Sequence, residues 1–272
     1  MTHHLKYAVN CSIMFTELPL LERPAAAKAA GFDALEFWWP FAEAVPADSE
    51  VDAFVASIED AGVQLVGLNF FAGDMPGGDR GIVSWPGRRS EFLANIALTM
   101  TIGERLGCKA FNALYGNRKD HVDPQAQDDL AAENLGIAAR AAACSGATVL
   151  VEPVSGAERY PLRTAADALA VVDRVRTETG ADSIGLLADL YHLAVNGDEV
   201  DAVIAQHGHR VAHVQIADAP GRGEPGTGDL PLMQQLAALE ANGYAGWVGL
   251  EYKPTTTTTD SFGWIEKQEI YA

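Results

Sequence analysis

The chain reads as an α/β protein, a single-domain (β/α)8 barrel of the TIM type running through residues 1–272. Three observations predict it. Eight short apolar, strand-like segments recur along 272 residues, which leaves about 34 residues for each unit, a typical repeat length for this architecture. Alanine-rich amphipathic stretches lie between them. Four successive later segments end on an oxygen-bearing side chain: Glu152 after ATVLV, Asp189 after SIGLLA, Gln215 inside RVAHVQIAD and Glu251 after GWVGL. Parallel strands closing into a barrel would gather those ends around one mouth.

In chain order, the predicted strands are residues 6–11 (KYAVNC), 33–38 (DALEFW), 63–70 (VQLVGLNF), 109–114, 147–152, 183–189, 210–216 and 246–251. They are rich in Val, Leu, Ile and Ala without strict alternation, as expected of strands covered on both faces. Residues 22–30 (ERPAAAKAA) read as a helix, with Pro24 suited to its first turn and Gly31 to its C-terminal cap. Residues 125–143 (QAQDDLAAENLGIAARAAA) read as another, closed by Gly146. The Gly- and Pro-rich stretches 71–88 and 217–229 follow strands, so on a barrel both lie on the active-site face. The threonine run 255–259 reads as a polar loop before a last helix around Ser261–Ile270. No linker divides the chain. A doubly wound open sheet is the alternative, but it usually carries a Gly-rich turn after its first strand, and CSIMFTELPL has no glycine.

Composition narrows the partners. With 48% hydrophobic residues the chain can bury a large core. A net charge of −18 and pI near 4.6 disfavour nucleic acid and anionic membranes, both of which reward a positive surface. An anionic substrate would have to be drawn in by a local cation or arginine. The cysteines Cys11, Cys108 and Cys144 are odd in number and far apart, which suits reduced thiols. No signal peptide and no run near the ~20 apolar residues of a membrane span is evident. The expectation is a soluble cytoplasmic protein acting on a small molecule, with its oligomeric state open, a homo-oligomer included.

Glu152, Asp189, Gln215 and Glu251 are oxygen donors only. Three carboxylates at close quarters repel one another unless a cation sits among them, and hard oxygen ligands suit Mg²⁺ or Mn²⁺ (or Ca²⁺) better than Zn²⁺ or Cu²⁺. Plainer readings exist: Asp189 as a helix cap, Gln215 as a partner for barrel backbone. Glu152 and Glu251 are harder to explain away, since Glu is a poor strand residue and a poor cap. His192, in DLYH, is placed to hydrogen-bond a substrate oxygen, or else to pack in its loop. His213 points inward one layer deeper and reads as a core histidine. The loop PGRGEPGTG offers Arg222 and Glu224, and NFFAGDMPGGDRG offers Asn69, Phe70 or Asp74 as a lid. Glu36, Trp38 and Trp39 belong to the rim or to the core with equal ease. No GxSxG, GxxxxGK[ST], CxxC or HExxH occurs.

The segments EFWWPF (36–41), NFFAGDMPGGDRG (69–81), VEP (151–153), DLYH (189–192), HVQIADAPGRGEPGTG (213–228) and GLEYKP (249–254) resemble the hydroxypyruvate isomerase family of the xylose isomerase-like barrel superfamily. The resemblance implies a divalent-metal site of two Glu, one Asp and one Gln or His, which places Glu152, Asp189, Gln215 and Glu251 as ligands. It implies further that Glu152 and Glu251 shuttle the proton and that His192 and Arg222 contact substrate. Gln at position 215 resembles the branch acting on hydroxypyruvate and 2-oxo-tetronate, where related ketose epimerases have His. The expected activity is therefore isomerisation of a small hydroxy-keto acid. A ketose 3-epimerase or inosose dehydratase is the first rival, a His-rich zinc endonuclease the second and a non-catalytic sugar-acid binder the third.

Overall fold

The structure, a computed structural model, describes residues 3–265. Eight parallel strands close in sequence order into a barrel. They are β1 (Tyr7–Asn10), β2 (Ala34–Phe37), β3 (Gln64–Asn69), β4 (Ala110–Asn112), β5 (Thr148–Val151), β6 (Ile184–Asp189), β7 (Val211–Ile216) and β8 (Val248–Leu250). Pairing of Tyr7 with Val248 and Val9 with Leu250 closes the cylinder. All eight strands fall within the predicted segments. The strands are shorter than predicted, however, so that Glu152 and Glu251 sit one residue past β5 and β8.

The outer helices are α1 (Arg23–Ala29), α2 (Asp48–Ala61), α3 (Arg89–Leu106), α4 (Pro124–Cys144), α5 (Ala165–Thr179), α6 (Leu190–Asn196), α7 (Val200–His207) and α8 (Leu232–Ala241). Local chemistry sets their ends. Pro24 occupies the first turn of α1, and Gly31, at φ 100°, lies just past its end. Asp123 caps α4 through Gln125 N, and Thr164 and Asp167 form a capping box on α5. The sixth unit differs from a simple repeat, since β6 is followed by both α6 and α7. After β8 there is a short 3₁₀ turn, Asp260–Trp264, where a helix over Ser261–Ile270 was expected. Residues 266–270 of that segment lie outside the described residues.

The main apolar layer lies between strands and helices. Phe111 on β4 lies so close to Gly103 of α3 that an added Cβ would come within 2.3 Å of the ring. Burial of this kind contributes about 1.5–3 kcal/mol for each large apolar side chain. The barrel's interior is built differently. Strand alternation turns Ala8, Ala34, Ala110, Leu150, Leu187, His213 and Gly249 inward at one level. Two residues later, Asn10, Glu36, Asn112, Glu152, Asp189, Gln215 and Glu251 follow at the level above. Cross-strand register agrees, with Asn10 beside Glu36 and Asp189 beside Gln215. Apart from His213, the interior is therefore apolar below and polar above, and buried throughout.

Candidate active site

The polar level at the C-terminal ends of the strands brings Glu152, Asp189, Gln215 and Glu251 together with His192 and Arg222. Glu152 Oε2 accepts from Asn112 Nδ2 at 2.7 Å, and Glu251 Oε2 accepts from Asn10 Nδ2 at 3.0 Å. Each glutamate is thus held by one oxygen from a neighbouring strand, which leaves Oε1 for the mouth. Glu251 Oε1 is 2.5 Å from Arg222 Nη2, while Glu152 Oε1 is 4.0 Å from His192 Nε2. Oxygens of Glu152 and Asp189 and a ring nitrogen of His192 all fall within 4.8 Å of one another.

Asp189 has two roles. It ends β6 and caps α6, its Oδ1 accepting from Tyr191 N at 2.9 Å and His192 N at 3.4 Å. Its Oδ2 is fully buried with no hydrogen-bond donor, 3.5 Å from His192 Nε2 and 3.6 Å from Arg222 Nη2. Gln215 is similar. Its Nε2 donates to Glu36 Oε1 at 2.6 Å, and its Oε1 is buried without a donor. Leaving a buried acceptor unmet costs about 1–3 kcal/mol. Two such oxygens beside two glutamates form a set that a hard divalent cation fits. The charges agree: when ionised, three carboxylates facing one guanidinium carry a net of −2, which a divalent cation would balance. Glu152, Asp189, Gln215 and Glu251 would hold the ion.

Burial, reinforced by Glu251 and Asp189, holds the Glu152 carboxyl well above the usual carboxylate range. Burial likewise pushes Glu251 up to about 8, against the opposing pull of Arg222 and with help from Asp189 and Glu36. Both carboxyls therefore keep their protons to higher pH than an exposed carboxyl does.

His192 is buried, and burial depresses its pKa to about 4. Ser155 N–H donates to its Nδ1 at 3.1 Å. A backbone amide can only donate, so Nδ1 carries no proton and Nε2–H is a donor facing the carboxylates. That tautomer presents a hydrogen to a substrate oxygen and offers no lone pair to a cation.

Arg222 has φ 61° and follows a cis Ala219–Pro220 bond. Its Nε donates to the Glu251 carbonyl at 3.2 Å, its own carbonyl accepts from Lys253 N, and its guanidinium stacks on Tyr191. The charge is therefore committed to Glu251 and Asp189. Glu224 sits at the rim, where both of its carboxylate oxygens are taken by Thr255, at 3.0 Å from the amide and 2.5 Å from the hydroxyl. That bond pair accounts for Glu224 as a brace between the β7 and β8 loops. Asn69 ends β3, buried beside Asn112 and Gln215 around a void of about 10 Å³.

Of the suggested lid residues, Phe70 packs into the core on Phe92 and Phe111, and Asp74 caps its own turn through Gly77 N. Trp38 and Trp39 line a cleft of about 940 Å³ with Phe41, Phe71 and Arg80. Trp38 N donates to Ser12 Oγ at 2.9 Å, and Ser12 N in turn donates to Asn10 Oδ1, which ties the cleft to the residue that holds Glu251.

Sequence reasoning passed over Asn10 and Asn112, the two residues that orient the glutamates. The signal was present: like Glu152, each ends a buried apolar strand on a polar residue poorly suited to strands. Glu36 was placed no better than rim or core. It lies at the centre, accepting from Asn10 Nδ2 at 3.0 Å, Gln215 Nε2 at 2.6 Å and facing His213 Nε2 at 2.8 Å.

A closed barrel with oxygen-bearing side chains at its C-terminal mouth defines a barrel enzyme. Residues 24–268 match the xylose isomerase-like TIM barrel model, and the chain belongs to that family. A Streptomyces coelicolor protein named "Putative hydroxypyruvate isomerase" is 56% identical over 265 residues, covering 96% of this chain and 95% of that protein. The hydroxypyruvate isomerase of Escherichia coli and the 2-oxo-tetronate isomerase of Cupriavidus necator are each 30% identical, over 96% of this chain and 98% and 97% of theirs. A Brucella melitensis crystal structure described as an AP endonuclease of family 2 superposes with a TM-score of 0.86 at 32% identity, over 96% of this chain and 97% of that one. These likenesses make the chain an isomerase.

Proposed function

We propose that the chain is a divalent-metal-dependent isomerase of a small hydroxy-keto acid, interconverting hydroxypyruvate and 2-hydroxy-3-oxopropanoate or acting on a 2-oxo-tetronate. The carrying observation is the pair of buried oxygens without donors, Asp189 Oδ2 and Gln215 Oε1, on β6 and β7, the two strands between those followed by Glu152 and Glu251. The names of the Escherichia coli and Cupriavidus necator relatives favour the keto-acid substrate class.

In this reading one glutamate, Glu152 or Glu251, takes a proton from C3 of hydroxypyruvate. The C–H electron pair becomes the C2–C3 double bond, and the C2 carbonyl oxygen gains negative charge. His192 Nε2–H faces that charge, while Arg222, paired with Glu251 and Asp189, holds the carboxylates beside it. A glutamate then returns the proton to C2, and the C3 hydroxyl proton passes to O2 as C3 becomes the aldehyde. Mg²⁺ or Mn²⁺, when bound, polarises the carbonyl and lowers the cost of the enediolate. Ionised, as a bound cation would keep them, Glu152 and Glu251 can each accept the C3 proton and give it back.

A ketose 3-epimerase or inosose dehydratase would use the same two glutamates, so the site geometry alone does not separate these reactions. The description of the Brucella structure raises an endonuclease as well. Against that reading stand a site of carboxylates and one glutamine, one neutral histidine beside them, and a chain charge of −18. The deciding assay presents hydroxypyruvate, a 2-oxo-tetronate, neutral ketoses and abasic DNA to the chain with Mg²⁺, Mn²⁺ or chelator. Metal-dependent turnover of the keto acids is expected. Turnover of neutral ketoses alone, or DNA cleavage, would replace this reading.

A further inference from the structure

We propose that Arg80 is the carboxylate-binding residue of this site, gripping the acid end of a 2-keto acid at the mouth of the Trp38–Phe71 cleft while its carbonyl end lies between the glutamates. The proposal rests on the keto-acid reading above and adds which residue selects for the acid.

The need arises from charge. A keto acid brings a carboxylate to a mouth already holding Glu152, Asp189 and Glu251. Arg222, the expected partner, is taken by Glu251 and Asp189. The cleft lined by Trp38 and Phe71 contains three other arginines, Arg23, Arg80 and Arg88. Arg88 is clamped by both oxygens of Glu91 at 2.5 and 2.6 Å. Arg23 spends Nε and Nη1 on the carbonyls of Leu18 and Cys11. Arg80 uses only Nη1, which donates to the carbonyls of Met75 at 3.1 Å and Asp79 at 2.6 Å. No carboxylate among the described residues pairs with it. Asp79, its sequence neighbour, turns instead to Asp74 N and Arg88.

Arg80 is also held in place. Gly81 N donates to the Ala72 carbonyl at 2.8 Å, and the Arg80 carbonyl accepts from Gly116 N at 2.9 Å. Gly81 has φ 96°, and a Cβ there would lie 1.8 Å from the Leu114 carbonyl oxygen. The backbone is thus pinned between the loops after β3 and β4, and one edge of the guanidinium is fixed by carbonyls. The remaining edge has the forked geometry that suits a carboxylate. The cleft opens over the same mouth, because Trp38 and Phe71, which line it with Arg80, lie two residues past Glu36 and Asn69 of the polar level.

The test compares hydroxypyruvate with hydroxyacetone, in which a methyl group replaces the carboxylate, by calorimetric binding to the Mn²⁺-loaded chain. In Arg80→Met the affinity for hydroxypyruvate should fall about 10- to 100-fold, the worth of a charge-assisted hydrogen-bonded pair. Affinity for hydroxyacetone should move by no more than about twofold, as at a site it does not touch. Arg80→Lys, which keeps the charge and loses the fork, should fall between. Equal losses for both ligands, or no loss for either, overturn the assignment of Arg80 alone. A wild-type chain that fails to prefer hydroxypyruvate over hydroxyacetone overturns the keto-acid reading with it.

Discussion

Glu36 and Gln215, 179 residues apart in the chain, are joined by a 2.6 Å hydrogen bond from Gln215 Nε2 to Glu36 Oε1. An amide has one donating and one accepting end, so this bond decides that Gln215 Oε1 faces the mouth. The same carboxylate oxygen accepts from Asn10, whose amide also holds Glu251. Glu36 therefore orients two of the four proposed ligands without touching the ion. In Glu36→Gln one acceptor becomes a donor, and Gln215 loses the reason to keep its orientation. Mn²⁺ affinity should fall about 10- to 100-fold, the usual cost of removing an outer partner of a metal ligand. Calorimetric titration checks this, and unchanged affinity would remove Glu36 from the role.

The room for that carboxylate is made by glycine. A Cβ at Gly249 would stand 2.4 Å from Glu36 Oε1, and one at Gly67 would stand 3.1 Å from Oε2. Gly249→Ala should displace Glu36 and destabilise the chain by about 1–3 kcal/mol through overpacking. Denaturant unfolding measures it. The affinity for Mn²⁺ should drop in the same variant, since Gln215 moves with Glu36.

Glu152→Gln and Glu251→Gln would remove both a proposed ligand charge and a proposed proton carrier while leaving the side chains nearly the same shape. Turnover should fall below detection in each, and metal affinity should weaken with it. Near-wild-type activity in either variant refutes that residue's assignment. Because each glutamate keeps one oxygen on an asparagine, Asn112→Ala and Asn10→Ala should lower kcat more mildly, through misplacement.

Much of this was readable from the chain because each strand carries its own signal. Glu152 and Glu251 break apolar runs where a carboxylate has no local reason to be, and closure of the barrel then brings them together. Asp189 was ambiguous between cap and ligand, and the structure shows why: Oδ1 caps α6 while Oδ2 lies free of donors. Arg222 and Glu224 were less legible. Their flexible, glycine-rich loop reveals nothing about partners until Thr255 and Glu251, roughly thirty residues on, fold back against it. Glu36 was opaque for a related reason, since its three partners come from β1 and β7 and two glycines that make its space come from β3 and β8.

The raised carboxyls set a pH dependence whose sign can be worked out. In the unfolded chain Glu251 ionises near its ordinary 4.5, whereas in the metal-free fold burial first, then Asp189 and Glu36 against Arg222, holds the proton up to about 8. The fold's advantage from that proton is complete below 4.5 and is lost as pH rises through 8. Glu152 shifts in the same direction. In chelator, Tm should therefore decline from pH 5 to pH 8.5, and less steeply in Glu251→Gln. With Mn²⁺ the trend reverses, because binding expels the protons and affinity should rise roughly tenfold per pH unit for each proton displaced. Calorimetry in two buffers of different ionisation enthalpy counts them. Affinity flat across this range would mean that these carboxyls are not the ligands.

His192 separates two arrangements of the same site. Its ring lies close enough to Glu152 and Asp189 to serve as a third ligand by distance alone. The Ser155 amide argues otherwise, because a donor on Nδ1 leaves the hydrogen on Nε2, and burial keeps the ring neutral until about pH 4. As a hydrogen-bond donor to charge developing on the substrate, His192 should cost about 10²- to 10³-fold in kcat when replaced by alanine. Mn²⁺ affinity should stay within about twofold of the wild type. No limb near pH 6.5 in the kcat/KM profile should trace to this ring, and ¹⁵N resonances should report a protonated Nε2 and a bare Nδ1 from pH 5.5 to 8. A loss of cation affinity of tenfold or more in His192→Ala would place the ring among the ligands and release Gln215 from that duty, since one site of this size does not need both.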